Sequence, residues 1–229
     1  MRLLRSEGAN GAYVPARNIL SRSGSILRGK FPSRKNGRMI AYEELLEADA
    51  LVLFEMHPSV VAYCEQPCTI RSEAPVWRYT PDFELLLRDG RSVLVEVKPR
   101  AKLDRPEVAD QIADAGRLLA QEGRELCVLT DLEIRQEPRL GILQSLQRRL
   151  PPLAPSEKHI DQALSTLRRD EVRTLAQCHS CLGAEVTAVL FARGYLQCDL
   201  QVPLSVDSIV RHDIEARHDW FFISEGYGF

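Results

Sequence analysis

The chain has 229 residues, 45% of them hydrophobic, 27% charged and 7% aromatic, with a formal net charge of −2. That length fits one large domain or two small ones, and the apolar content is ample for a buried core, which excludes a disordered chain. Residues 1–11 lack an apolar core and no apolar run looks long enough to span a bilayer, so secreted and membrane classes are set aside and a cytoplasmic protein is expected.

The charge is unevenly spread: residues 1–40 carry +8, residues 41–150 carry −6 and residues 151–229 carry −4. Residues 1–38 read as a basic, irregular arm, suited to phosphate-backbone contact without base reading. Apolar positions Leu45, Leu46, Ala50, Leu53 and Phe54 recur at helical spacing, predicting a helix from Ala41 to about Met56 that His57-Pro58 ends. Val60–Cys64 is a strand candidate. Phe83–Leu87 and Ser92–Lys98 form a hairpin, followed by a helix over Glu107–Gln121 with Gly123 as its stop. Leu126–Thr130 reads as a short buried strand, Gly141–Leu150 as a closing helix and Pro151–Pro155 as a linker. Antiparallel strands first and a crossover helix later predict an α/β domain, residues 39–150, with a mixed sheet covered by helices.

Three helical patterns follow the linker, at Glu157–Arg168, Asp170–Cys178 and Gly183–Arg193. Tyr195–Leu200 and Ser208–His212 are then available as a two-stranded wing, so residues 151–229 read as a small winged-helix-like domain. Its third helix carries a single base and the segment is net acidic, which favours protein docking over groove insertion. Cys64, Cys68, Cys127, Cys178, Cys181 and Cys198 sit mostly in apolar segments, as reduced thiols do. Cys178-His179-Ser180-Cys181 resembles half a zinc site, with only Cys198 and His159 as nearby partners; two helix-packing cysteines are the better reading.

The chemistry is concentrated in Tyr79-Thr80-Pro81-Asp82-Phe83 and Val95-Glu96-Val97-Lys98. Two hard carboxylates suit Mg²⁺, and an ammonium beside them suits an attacking water or a phosphate. Whether they share a face depends on register. A two-residue turn at Asp89-Gly90 would put Asp82 and Glu96 on opposite faces. A three-residue loop, Arg88 to Gly90 with the glycine left-handed, pairs Asp82 with Glu96. It gathers Phe83, Leu85, Leu87, Val93, Val95 and Val97 on one apolar face and leaves Asp82, Glu84, Glu96 and Lys98 on the other, with Leu86 and Leu94 towards the turn. The apolar pattern selects the second register.

Those motifs, with Glu47-Ala48-Asp49, His57-Pro58-Ser59-Val60-Val61, Glu65-Gln66-Pro67, Glu96-Val97-Lys98-Pro99 and Leu129-Thr130-Asp131 through Ile134-Arg135, resemble the TnsA family over roughly residues 20–150. These are endonuclease subunits of heteromeric cut-and-paste transposases. The resemblance implies a restriction-endonuclease-like core and bacterial origin. It places the family's helical acid on Glu47, its strand acids on Asp82 and Glu96, and its lysine on Lys98; some members have Gln where this chain has Glu96. Glu43, Glu44 and Glu55 are rivals to Glu47, and Glu43 shares its helix face.

The resemblance further implies one or two Mg²⁺ ions, replaceable by Mn²⁺, held by Asp82, Glu96, the Val97 carbonyl and Glu47. Double-stranded DNA at element ends is the implied substrate, with backbone contacts expected from Arg34, Lys35, Arg38 and Lys102. The implied partners are a DDE-type transposase subunit, which cuts and joins the 3′ ends, and an ATPase regulator docking on the C-terminal domain. A stand-alone restriction or repair nuclease of the same fold is the alternative.

Overall fold

The structure, a computed structural model, describes residues 4–5, 15–16, 28–73 and 76–212. Most of the expected basic arm lies outside the described residues. The part of it that is described is not irregular: β1 (Leu4–Arg5) and β2 (Gly29–Ser33) are strands, and β2 pairs antiparallel with β3 (Arg38–Tyr42). This hairpin takes up residues expected to open the first helix, so α1 spans Leu45–Met56 instead of starting at Ala41. The chain continues through β4 (Val60–Glu65), β5 (Cys68–Glu73), β6 (Val76–Tyr79), β7 (Phe83–Leu87), β8 (Ser92–Val97), α2 (Arg100–Leu103), α3 (Pro106–Gln121), β9 (Glu125–Leu129) and α4 (Asp131–Ile134). Then come α5 (Arg139–Gln147), α6 (Glu157–Arg169) and α7 (Leu175–Arg193). Among the described residues two units divide the chain, one of residues up to 51 with 60–134, the other of residues 52–59 with 135–212. The division falls after Ile134, ahead of the Pro151–Pro155 linker that the sequence suggested.

The first unit is built on a mixed sheet of order β4-β7-β8-β9, antiparallel except for the parallel β8–β9 pair. Antiparallel neighbours need only a short turn, whereas the parallel pair needs a crossover, which α3 supplies. At the β7–β8 turn, Leu87 N–H donates to the Arg91 carbonyl (2.8 Å) and Gly90 N–H to the Leu87 carbonyl (3.0 Å), leaving Arg88 to Gly90 as a three-residue loop. Gly90 has φ 88°, a left-handed conformation that side chains with a Cβ resist. The ladder runs from Leu86↔Ser92 to Phe83↔Val95, and one step further brings Asp82 level with Glu96. Phe83, Leu85, Val93, Val95 and Val97 are at most 3% exposed, as the alternation requires.

The opposite face is also covered, which the alternation did not foretell. Leu94 is buried with Cys68, Ile70, Tyr79, Ala115 and Leu119, against which Trp77, Ile112 and Leu126 pack. Helix α3 therefore lies over this face, and its start fits Pro106 at the first helical position. It closes as expected at Gly123: Gly123 N–H donates to Ala120 O and Arg124 N–H to Leu119 O, both at 3.0 Å. The β5–β6 hairpin, which the sequence did not single out, supplies Cys68, Ile70 and Tyr79 to this cluster.

In the second unit α7 contacts both α5 and α6. Ser156 caps α6 by accepting from His159 N–H, and Thr174 with Gln177 forms a capping box that starts α7. Residues 170–174 form the turn between them, so the helix expected from Asp170 begins only at Leu175. Gly183 (φ 78°, ψ 164°) breaks α7 between the two expected helices. Helix α7 is long and apolar enough to qualify as a membrane span, contrary to the sequence reading. Its break, and the burial of Leu175, Cys178 and Thr187 to Phe191, are those of a helix packed in a protein core. Where a two-stranded wing was expected there is one antiparallel bridge, Gln197↔Arg211, beside a second at Thr174↔Ile209.

Candidate active site

Asp82 precedes β7 directly, and Glu96 and Lys98 straddle the end of β8, so the hairpin register brings the three together. Lys98 Nζ lies 2.6 Å from Glu96 Oε1 and 3.7 Å from Asp82 Oδ2. Asp82 Oδ2 also accepts from Val97 N–H (2.8 Å), which fixes the carboxylate against the strand carrying the other two groups. Lys98 N–H donates to the Leu129 carbonyl (3.0 Å), which ties the end of β8 to β9. Glu96 is nearly sealed, its side chain 4% exposed, while Asp82 at 14% and Lys98 at 28% open towards solvent.

Glu47 enters from the first turn of α1. Its Oε2 accepts from Glu43 N–H (2.8 Å), the reach-back of an acid at the third helical position. Burial pushes its carboxyl up to about 7, against the pull of that hydrogen bond and of the Lys98 ammonium. The charges of Glu47 and Glu96 both act on Asp82, whose carboxyl is raised well above the usual range by burial first and by Glu96 next. Burial works against the Lys98 ammonium, but Asp82, Glu96 and Glu47 outweigh it and raise its pKa. Among the four helical candidates, Glu47 is the acid whose charge reaches both Asp82 and Lys98. Glu44 is paired with Lys102 (2.9 Å) and Glu43 lies 3.5 Å from Arg28, while Glu55 is buried in the other unit.

The structure adds a member that the motif contained without a role. Tyr79, at the end of β6, donates its hydroxyl to Glu96 Oε2 at 2.7 Å. Burial, then the Glu96 charge and hydrogen bond, raise the phenol far above its usual range, so it stays a donor. Glu96 thus has one oxygen on Tyr79 and the other on Lys98. Tyr79 opens the Tyr-Thr-Pro-Asp run, but only the β5–β6 hairpin carries it back to β8.

The expected backbone-binding bases are differently placed. Arg38 makes a bidentate pair with Glu65 at 2.8 and 2.6 Å, and the Lys102 ammonium is held by Glu44. Arg34 and Lys35 sit in the β2–β3 turn. Cys178 is buried in α7 while Cys181 is exposed, and all six cysteines are free thiols.

The donor set fits a hard divalent cation. Glu47, Asp82 and Glu96 offset by Lys98 leave a formal excess of two negative charges when ionised, in a site where burial, and after it the Glu96 charge, already raises Asp82. Among the described residues no three His, Cys, Asp or Glu side chains form a ready cation cage. Glu47 therefore joins the Asp82–Glu96 pair through charge and not as the third wall of a cage. Mg²⁺ commonly keeps several waters and takes one or two carboxylates, so the pair suffices.

A mixed sheet flanked by helices, with paired acids and a lysine at the end of its central hairpin, has the make-up of an endonuclease domain. Residues 57–131, a minority of the chain, match the family described as TnsA-like endonuclease N terminal, which supports a TnsA-like assignment of that stretch. The match takes in Asp82, Glu96 and Lys98 and begins after Glu47. A search of curated proteins found no match.

Proposed function

We propose that this protein is the metal-dependent endonuclease subunit of a heteromeric transposase, nicking the 5′ ends of a mobile element while a DDE-type subunit cuts and joins the 3′ ends. The observation that carries the reading is the convergence of Asp82, Glu96 and Lys98 at one end of the β7–β8 ladder, inside the TnsA-like stretch. Asp82 and Glu96 would hold Mg²⁺ or Mn²⁺, with the Val97 carbonyl as a further oxygen and Glu47 orienting bound water. When bound, the metal supplies hydroxide near neutral pH and offsets charge on the scissile phosphate.

The chain's own groups do the remaining work. Tyr79 holds Glu96 in one orientation through its hydroxyl. Lys98, the most open of the three, presents its ammonium where a phosphate oxygen or the attacking water arrives, and offsets charge developing there. Val97 N–H keeps Asp82 aimed at the same point. The winged-helix-like second unit is read as the docking part for an ATPase regulator, since the DNA-cutting groups all lie in the first.

The test is cleavage of an end-labelled duplex carrying an element terminus, with the transposase subunit and Mg²⁺ present. Asp82→Asn and Glu96→Gln should each lower cleavage by about 10²- to 10³-fold or more, the scale of removing one preorganised charge-stabilising group. Circular dichroism should be unchanged. Wild-type rates in either variant would sink the site assignment.

A further inference from the structure

The second unit carries a cationic concavity that neither the nuclease site nor the docking role uses. Between the α6–α7 turn and residues 209–212 lies a cavity of about 380 Å³, lined among others by Arg168, Glu171, Arg173, Ile209, Arg211 and His212. Arg168, Arg173 and Arg211 are all exposed, and none has an acidic partner among the described residues. Their neighbour Arg169 differs, being bound to Asp170 at 2.8 Å. Among the described residues, three guanidinium groups and one acid, Glu171, line the hollow.

The helix that a winged-helix plan would place in a DNA groove cannot serve. Thr187 to Phe191 of α7 are buried, and its last-turn base, Arg193, is held by Glu157 at 2.7 Å. Any nucleic-acid contact in this unit must come from elsewhere. The hollow offers it: guanidinium forks match phosphate oxygens bidentately and remain charged at any working pH. A peptide partner would call for apolar anchors, and among the described residues lining the hollow Ile209 is the one exposed apolar side chain.

We infer that Arg168, Arg173 and Arg211 form a sequence-independent contact for the phosphate backbone of duplex DNA, giving the second unit a share in holding the substrate. The inference rests on the reading of the protein as a DNA endonuclease, but its test is independent of cleavage. Binding of the full chain to a fluorescein-labelled random-sequence duplex is followed by anisotropy in EDTA over a series of salt concentrations. Each phosphate contact contributes a slope of about −0.9 in log K against log salt. The triple variant Arg168→Gln/Arg173→Gln/Arg211→Gln should reduce the magnitude of that slope by about 2 to 3. The triple Arg→Lys variant should keep most of it, and Asp82→Asn should leave the loss on Gln substitution intact. Each single Arg→Gln change should remove about 1, which decides the matter if the triple variant does not fold. An unchanged slope in the folded Gln variants overturns the inference, as does a loss confined to binding of poly-glutamate. Loss of cleavage without change in this slope bears on the nuclease reading alone.

Discussion

Glu96 shows how little freedom a candidate catalytic carboxylate has here. It is 3% exposed, and its two oxygens are taken by Tyr79 and Lys98. Burying a carboxylate without such partners is costly. Tyr79→Phe removes one partner without opening a cavity, so the fold should survive while Glu96 loses its fixed orientation. Groups that orient a metal ligand typically matter by about 10- to 100-fold in metal affinity or activity. A drop in that range, with a raised Mg²⁺ requirement in the titration, is expected; unchanged Mg²⁺ dependence would make the tyrosine merely structural. Glu47 and Glu44 provide a matched pair at the same scale. Glu44 is half exposed on a surface ion pair and worth little, whereas Glu47 is buried within the field of Asp82 and Lys98. Glu47→Gln should reduce cleavage by about 10²-fold and Glu44→Gln by less than about twofold, assayed in parallel on the same duplex.

At the scale of elements, the site depends on strand register, to which a turn and two flanking ladders contribute. Gly90 in its left-handed conformation makes the β7–β8 loop three residues long, and loop length sets register. A slip of one residue would bring Glu96 level with Phe83, on the face of β7 opposite to Asp82, and leave Lys98 away from Asp82. Gly90→Ala has open space for its Cβ, so its cost is conformational alone, about 1–2 kcal/mol. Denaturant unfolding should show that loss with little change in cleavage at low temperature, because the β4–β7 and β8–β9 ladders hold the register from either side. A large catalytic defect in a stably folded Gly90→Ala protein would mean that the turn, and not the ladders, holds the pairing.

For the whole molecule, charge decides how DNA is met. The chain is net acidic and the candidate site is itself rich in carboxylate. An acidic body repels duplex DNA, so cleavage should depend on being delivered to its substrate. With the cognate transposase subunit and element ends present, 5′-end nicking should exceed that of the chain alone by about 10²-fold or more, the scale that holding reactants together can supply. The measurement is the end-labelled duplex assay with and without the partner. Efficient sequence-specific double-strand cutting by the chain alone would instead make it a stand-alone restriction-type nuclease.

The central hairpin, its register and the facing of Asp82, Glu96 and Lys98 were legible from residue order because they obey short-range rules. Alternation has a period of two, a left-handed glycine defines a loop, and a buried face rejects the wrong register. The stop of α3 at Gly123 was legible for the same reason, since caps are local, and its start fell at Pro106, one residue before the expected Glu107. The β5–β6 hairpin was not, because Cys68 to Tyr79 mixes charged and apolar residues with no clear period, and its strands are stabilised by burial under α3. Tyr79 was therefore in view as a residue and hidden as a partner. The β2–β3 hairpin escaped because its pattern was submerged in a basic segment. What the sequence alone determined was which acids can share a face. The resemblance placed the helical acid on Glu47, which residue spacing could not separate from Glu43; what the tertiary structure added is that the Glu47 charge reaches Asp82 and Lys98, and that Tyr79 holds Glu96. Those facts depend on burial and on contacts between groups far apart in the chain, and spacing along one strand or one helix carries no record of either.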